Sequence, residues 1–231
     1  MRPASLQLAM FDMAGTTVND RVKGTPLMIL SMARAFASHD IQLTSELINR
    51  HRGKEKLEAI QTLLQENSSL PSDEIDRVSA IIYRDFVQEL ESNLWDVSEI
   101  DGASETFQYL KSRGIFVGVG SGFPARVVEA IVSQLGWREN GLVDYVGSAE
   151  QVGVGRPNPK MIHDAMQQLG VTKPQKVVKI GDTIVDIQEG KNADVWTIAV
   201  LTGSQTEEQL MTVQPDYILS SIRALPEVLQ T

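Results

Sequence analysis

Apolar positions fall into two regimes along the chain. From Gln7 to Met13 an apolar run ends at a Gly-Thr turn, which predicts a fully buried strand with Asp12 at its C-terminal edge. Residues near 24–96 differ: apolar positions in TPLMILSMARAFASHD, TSELINRHRG, KEKLEAIQTLLQ and DEIDRVSAIIYRDFVQELESNL recur every three and four residues. That spacing predicts a helical bundle without strands, with Thr44 and Ser72 at N-cap positions, the latter just after Pro71. From about Gly102 strands and helices alternate. The predicted strands are 115–120, 144–150, 176–182, 195–201 and 216–219. The predicted helices are Arg126–Leu135, Asn158–Leu169, Ile184–Asn192 and Thr206–Met211.

Alternation of short apolar runs with amphipathic helices implies an α/β fold with a doubly wound parallel sheet. The all-helical stretch follows the first strand, so it reads as an inserted cap over 21–96, with a core from 1–20 and 97–231. The short stretches near 19–23 and 96–101 would be its hinges. Such sheets bind ligands outside the C-terminal strand ends, where this chain places Asp12, Ser121, Glu150, Asp182 and Asp186.

Composition narrows the chemistry. The 231 residues are 42% hydrophobic and carry a net charge of -9, which argues against an electrostatic grip on nucleic acid or an anionic membrane. An anionic substrate would need a local cation cluster or a metal. With no cysteine there is no disulfide, thiolate metal site or thiol nucleophile. No apolar stretch approaches transmembrane length, and the early apolar run is too short for a signal peptide, so the expectation is a soluble, cytoplasmic protein.

Asp12 and the segment GDTIVD, with Asp182 and Asp186, bring acidic groups to two strand ends. Crowded carboxylates stay ionised most readily beside a divalent cation, and hard oxygen ligands suit magnesium. The plainer alternative is that each Asp caps a following helix.

FDMAGTTV, VGSGF, GRPNPKM and KIGDTIVD resemble, in order and spacing, the four motifs of the haloacid-dehalogenase-like hydrolase superfamily, and together they span almost the whole chain. The resemblance implies a Rossmann-like core and an aspartyl-phosphate intermediate. Asp12 would be the nucleophile, Ser121 and Gly122 would bind the phosphoryl oxygens, and Arg156 would neutralise charge. Asp12, the Ala14 carbonyl, Asp182 and Asp186 would hold magnesium. Phosphatases of the superfamily carry a second Asp two residues after the nucleophile as general acid, a group worth on the order of 10²–10⁴ in rate. Ala14 cannot supply that proton.

Cleavage of a carbon–phosphorus bond needs an electron sink instead of that acid. DMAGTT with the arginine of GRPNP is similar to the phosphonoacetaldehyde hydrolase (phosphonatase) family and its phosphonatase-like relatives, in which a cap lysine forms a Schiff base. Lys56, three residues after Gly53 in RGKEKLEAI, stands at the matching position. Its pKa would have to fall, which His51, Arg52 and Lys54 would assist. Arg52 replaces that family's methionine, Ala59 its histidine, and its hinge cysteine is missing. The resemblance implies a small phosphonate or phosphorylated metabolite as substrate and a homodimer. Two rivals stand beside it: a phosphatase of small phosphate monoesters, such as phosphoglycolate or a sugar phosphate, and a catalytically silent binding protein.

Other signals carry less. GVGSGF has Phe123 at the third glycine of a dinucleotide fingerprint, and Val119 removes the nucleophile-elbow pattern around Ser121. His39 and His163 fall within helical segments, and Trp95, Trp137 and Trp196 read as packing residues.

Overall fold

The computed structural model describes residues 5–51 and 54–230; Arg52 and Gly53, invoked above beside Lys56, lie outside them. The chain divides into two compact units, one of Met1–Asn19 with Ser98–Thr231, the other of Asp20–Val97.

In chain order, β1 (Leu8–Asp12) is followed by three two-residue strands: β2 (Val18–Asn19), β3 (Arg21–Val22) and β4 (Thr25–Pro26). Helices α1 (Leu27–Ala37), α2 (Ser45–Asn49), α3 (Lys56–Asn67) and α4 (Ser72–Ser92) complete the second unit, and β5 (Ser98–Glu99) returns to the first. There follow α5 (Ala103–Ser112), β6 (Phe116–Ser121), α6 (Ala125–Gln134), β7 (Tyr145–Ser148), α7 (Ala149–Val152) and α8 (Lys160–Gln168). Next come β8 (Val177–Gly181), α9 (Ile184–Asn192), β9 (Trp196–Val200), α10 (Glu207–Met211), β10 (Tyr217–Leu219) and α11 (Leu225–Gln230).

The first unit is built on a six-stranded sheet ordered β10-β9-β8-β1-β6-β7, with every neighbouring pair parallel. β1 lies in its interior, and all five of its residues are buried, as expected of a continuous apolar run covered on both faces. Its C-terminal end sits between two neighbours. Asp12 is in register with Gly120 of β6, and Phe11 with Ile180 of β8. Ser121 and Asp182 therefore follow at the ends of the strands flanking Asp12. Beneath this edge, Phe11 and Trp137 each meet Phe107 edge-on at 5.2 Å between ring centroids. The indole of Trp137 donates to Glu99 Oε1 at 2.5 Å. β2 and β5 form an antiparallel pair at the chain's exit from and re-entry to this unit.

The helical unit follows its sequence spacing. α1 buries Leu27, Met28, Met32, Ala35 and Phe36, α3 buries Ala59, Ile60, Leu63 and Leu64, and α4 buries Ile75, Ile82, Phe86 and Leu90. Thr44 caps α2, its hydroxyl accepting from Leu47 N at 3.3 Å. His39 is satisfied by Asp85 at 2.9 Å, and His163 is exposed.

Several expectations are corrected. The block from 24 is not free of strand: β4 pairs with β3, a two-residue hairpin too short to show any alternation. Ser72 is the first helical residue of α4, and the cap position belongs to Pro71, whose ring pre-sets the backbone. The strand predicted over 144–150 ends at Ser148, which caps α7 through a reciprocal pair with Gln151. Trp95 does not pack: it is 85% exposed, on the turn after α4.

Candidate active site

Three carboxylates converge at the C-terminal edge of the sheet. Asp12 ends β1, Asp182 follows β8, and Asp186 lies in the first turn of α9; one oxygen from each falls within 4.8 Å of the others. All three are buried, at 4%, 0% and 0% exposure. The chain reaches this geometry through small residues. A Cβ at Gly181 or Gly203 would overlap the side chain of Asp186 or Asp182, and one at Gly15 would lie 2.8 Å from Asp182 Oδ2. Gly15 also has φ +91°, a left-handed conformation that favours glycine in the turn after the strand.

Each carboxylate is oriented separately. Asp182 accepts from Thr16 Oγ1 at 3.2 Å through one oxygen and from Ser204 N at 3.0 Å through the other. Asp186 Oδ2 accepts from the backbone N–H of Thr183 at 3.2 Å and from its hydroxyl, so it does cap α9 while its other oxygen faces the cluster. Capping and a place in the acidic cluster, alternatives in the sequence, here fall to the two oxygens of one residue. Thr17 Oγ1 donates to the Asp12 carbonyl at 2.9 Å, tightening the turn that follows.

Arg156 enters from the segment between α7 and α8 and is 7% exposed. Its Nη1 donates to Asp12 Oδ1 at 2.6 Å and to Asp186 Oδ1. A second cation, Lys179 on β8, is fully buried; its Nζ lies 3.2 Å from Asp186 Oδ1 and 2.9 Å from Glu189 Oε2 on α9. Lys179 and Glu189 were not among the residues singled out from the sequence. The signal was a lysine between the apolar residues Val178 and Ile180 in the strand run KVVKIGD.

Burial would raise the Asp186 carboxyl, but Arg156 and Lys179, with the Thr183 hydrogen bond, outweigh it and hold it at about 2. Asp12 goes the other way. Burial pushes its carboxyl above the ordinary value; Arg156 opposes this and Asp186 adds to it. The difference reflects their partners: Asp186 has Arg156, Lys179 and the Thr183 hydroxyl beside it, whereas at Asp12 burial prevails over Arg156. Four buried carboxyl groups, on Asp12, Asp182, Asp186 and Glu189, gather around the buried cations Arg156 and Lys179. A dication with oxygen ligands fits that donor set and that charge.

The structure thus brings together Asp12, Arg156, Asp182 and Asp186. Ser121 and Gly122 lie at the adjacent end of β6, where Ser121 Oγ accepts from Phe123 N at 3.1 Å. Ala14 is in the turn after β1, and its methyl offers no proton. Glu150 is not at a strand end; it lies in α7 and accepts from Ala125 N at 2.6 Å, capping α6. Lys56 belongs to the helical unit, as the first residue of α3. It is 3% exposed, with Nζ donating to the Lys54 carbonyl at 2.8 Å. The side chain is buried although Lys54, Glu55 and Glu58 beside it are charged.

Residues 6–194 match the model of the haloacid dehalogenase-like hydrolases. Phosphonoacetaldehyde hydrolase of Lactiplantibacillus plantarum is 30% identical over 97% of this chain and 96% of its own length. The enzyme of that name from Bacillus cereus is 30% identical over 89% of this chain and 81% of its own length. Among solved structures, a phosphonoacetaldehyde hydrolase-like protein from Oleispira antarctica superposes with a TM-score of 0.84, covering 100% of this chain and 93% of its own at 21% identity. A predicted phosphoglycolate phosphatase from Haemophilus somnus gives 0.80 at 20% identity, over 97% of this chain and 98% of its own. No helix among the described residues is long and apolar enough to cross a membrane.

Proposed function

The chain belongs to the haloacid dehalogenase-like hydrolases, and on that footing we propose that it hydrolyses the carbon–phosphorus bond of a small 2-oxoalkylphosphonate such as phosphonoacetaldehyde. The observation that carries this reading is Lys56. Lys56 is 3% exposed at the first turn of α3, with its Nζ donating to the Lys54 carbonyl, and a lysine so placed is held in position, as an imine-forming amine must be. The same chain has Ala14 two residues after the nucleophile position, where it has no acid to offer a leaving alkoxide.

In this reading the Lys56 amine condenses with the substrate carbonyl and loses water, leaving an iminium two atoms from phosphorus. Asp12 attacks phosphorus; the C–P electron pair moves into the iminium and gives an enamine, so no proton is needed at Ala14. Protonation of the enamine carbon and hydrolysis of the imine release the carbonyl product and regenerate Lys56. A second water hydrolyses the aspartyl-phosphate to free phosphate and Asp12. Arg156 neutralises charge on Asp12 and then on the phosphoryl oxygens, and Ser121 with the Gly122 backbone positions them. Asp12, Asp182, Asp186 and the Ala14 carbonyl are the groups that would hold magnesium, which supplies hard positive charge to the same oxygens. The alternative is a phosphomonoesterase using the same Asp12 and no Lys56 chemistry.

Borohydride separates the two. With phosphonoacetaldehyde it should reduce the imine and attach an alkylamine irreversibly to Lys56, located by peptide mass spectrometry. An unmodified Lys56 together with rapid turnover of phosphoglycolate would establish the phosphomonoesterase instead.

A further inference from the structure

Behind the acidic cluster runs a single file of buried charges that alternates in sign: Asp12, Arg156, Asp186, Lys179 and Glu189. The last two have no part in the chemistry above. Lys179 projects from β8 on the side where α9 packs, and Asp186 and Glu189, three residues apart on α9, straddle its ammonium. The passage for this side chain is shaped by Gly190. A Cβ there would stand 3.0 Å from Lys179 Cβ and 2.6 Å from Thr197 Cγ2, so the helix approaches the strand only because that atom is missing.

A buried ion pair of this kind is poor value as a stabiliser. Desolvation of two charges cancels most of their attraction, and well-packed apolar residues of similar volume commonly do as well or better. Its position suggests what it does instead. Arg156 reaches both Asp12 and Asp186 through the same nitrogen, which has an N–H for each, so the two carboxylates share the charge of one cation. Were Asp186 to have no other cation, it would hold Arg156 and draw it from Asp12. Lys179, 3.2 Å from the same Asp186 oxygen, takes up part of that charge. Glu189, 2.9 Å from Lys179 on its far side, keeps the ammonium from collapsing fully onto Asp186.

We propose that Lys179 and Glu189 are a positioning pair that divides the charge of Asp186 between two cations, so that Arg156 stays available to Asp12 and to a phosphoryl group. The inference rests on the reading of Arg156 as the phosphoryl-facing cation, and not on which bond to phosphorus is broken.

Two variants test it, Lys179→Met with Glu189→Met, and the isosteric Glu189→Gln alone. Calorimetry measures inorganic phosphate binding in saturating Mg2+, and Mg2+ binding alone, alongside the Tm. For the double variant the expectation is a Tm held or raised, with phosphate at least tenfold weaker because Arg156 turns to Asp186. For Glu189→Gln the expectation is weaker Mg2+ binding, because Lys179 then neutralises Asp186 more completely. A pair that only braces the fold would lower the Tm and leave both affinities within twofold of the parent, and that result overturns the proposal. Glu189→Gln removes no volume, so its Mg2+ affinity decides the matter even where the double variant does not fold. Neither measurement involves a carbonyl, so failure of the Lys56 chemistry would leave these expectations standing.

Discussion

Arg156 Nη1 lies 2.6 Å from Asp12 Oδ1 and touches Asp186 Oδ1 as well, making one guanidinium nitrogen the bridge between the end of β1 and the first turn of α9. Removing it leaves two buried carboxylates facing each other. Arg156→Met is expected to cost about 3–5 kcal/mol of stability, the range for breaking a buried pair from one side. Urea unfolding in metal-free buffer measures it. Arg156→Lys should recover part of the stability but little of the activity, since a single ammonium does not reproduce the planar donor geometry.

The cluster of buried carboxylates at Asp12, Asp182 and Asp186 predicts that Mg2+ stabilises the folded chain. At a hundred times the dissociation constant, linkage gives about 2.7 kcal/mol, visible as a rise in Tm over metal-free protein. Asp182→Asn should abolish most of that rise while leaving the metal-free Tm little changed. An equal rise in the variant would place the cation elsewhere.

Gly203→Ala tests how tightly the site is built. A methyl at this position would overlap Asp182, whose oxygens are otherwise fixed by Thr16 and Ser204. The expected result is at least a tenfold weaker Mg2+ affinity and a parallel loss of rate, with the far-UV spectrum unchanged. Calorimetric titration with Mg2+ reads the affinity directly.

In the helical unit, burial lowers the pKa of His51, and Lys54 adds to the effect. The unfolded state therefore takes up a proton near pH 6.5, before the folded state does. Stability from this group is full above about pH 6.5 and declines as pH falls below it towards the lower folded value. His51→Gln should flatten the fall in Tm between pH 7.5 and 5.5, with the two proteins closest at the acid end. A parallel pair of Tm–pH curves would contradict this.

The fold was readable because its signals are local. The buried run at β1, the three-and-four spacing of α1, α3 and α4, and the later alternation each follow from one segment's own pattern. What escaped depended on tertiary context. Trp95 and Trp137 are alike in sequence, yet the first is exposed and the second sits in an aromatic stack bonded to Glu99. Trp137→Ala should cost about 3–5 kcal/mol, whereas Trp95→Ser should stay within about 0.5 kcal/mol, the usual range for surface substitutions. The site divides in the same way. Asp12, Arg156, Asp182 and Asp186 stand in motifs, so they were found. Thr16 and Lys179 lie within the same motifs, and Glu189 and Ser204 beyond them, yet all four act through partners on other elements, and of these only Lys179, a charge within an apolar strand, left a local trace. Asp186 could not be assigned to capping or to the cluster from spacing alone, because it serves both.

The central claim is that Asp12 accepts a phosphoryl group whose departing partner is a carbanion stabilised through Lys56. Stoichiometry tests it most directly. With phosphonoacetaldehyde and Mg2+, the protein should release acetaldehyde and phosphate in equal amounts, with both lost in Asp12→Asn and in Lys56→Met. Release of phosphate from phosphoglycolate or sugar phosphates at full rate in Lys56→Met, with no acetaldehyde formed from the phosphonate, would contradict the account.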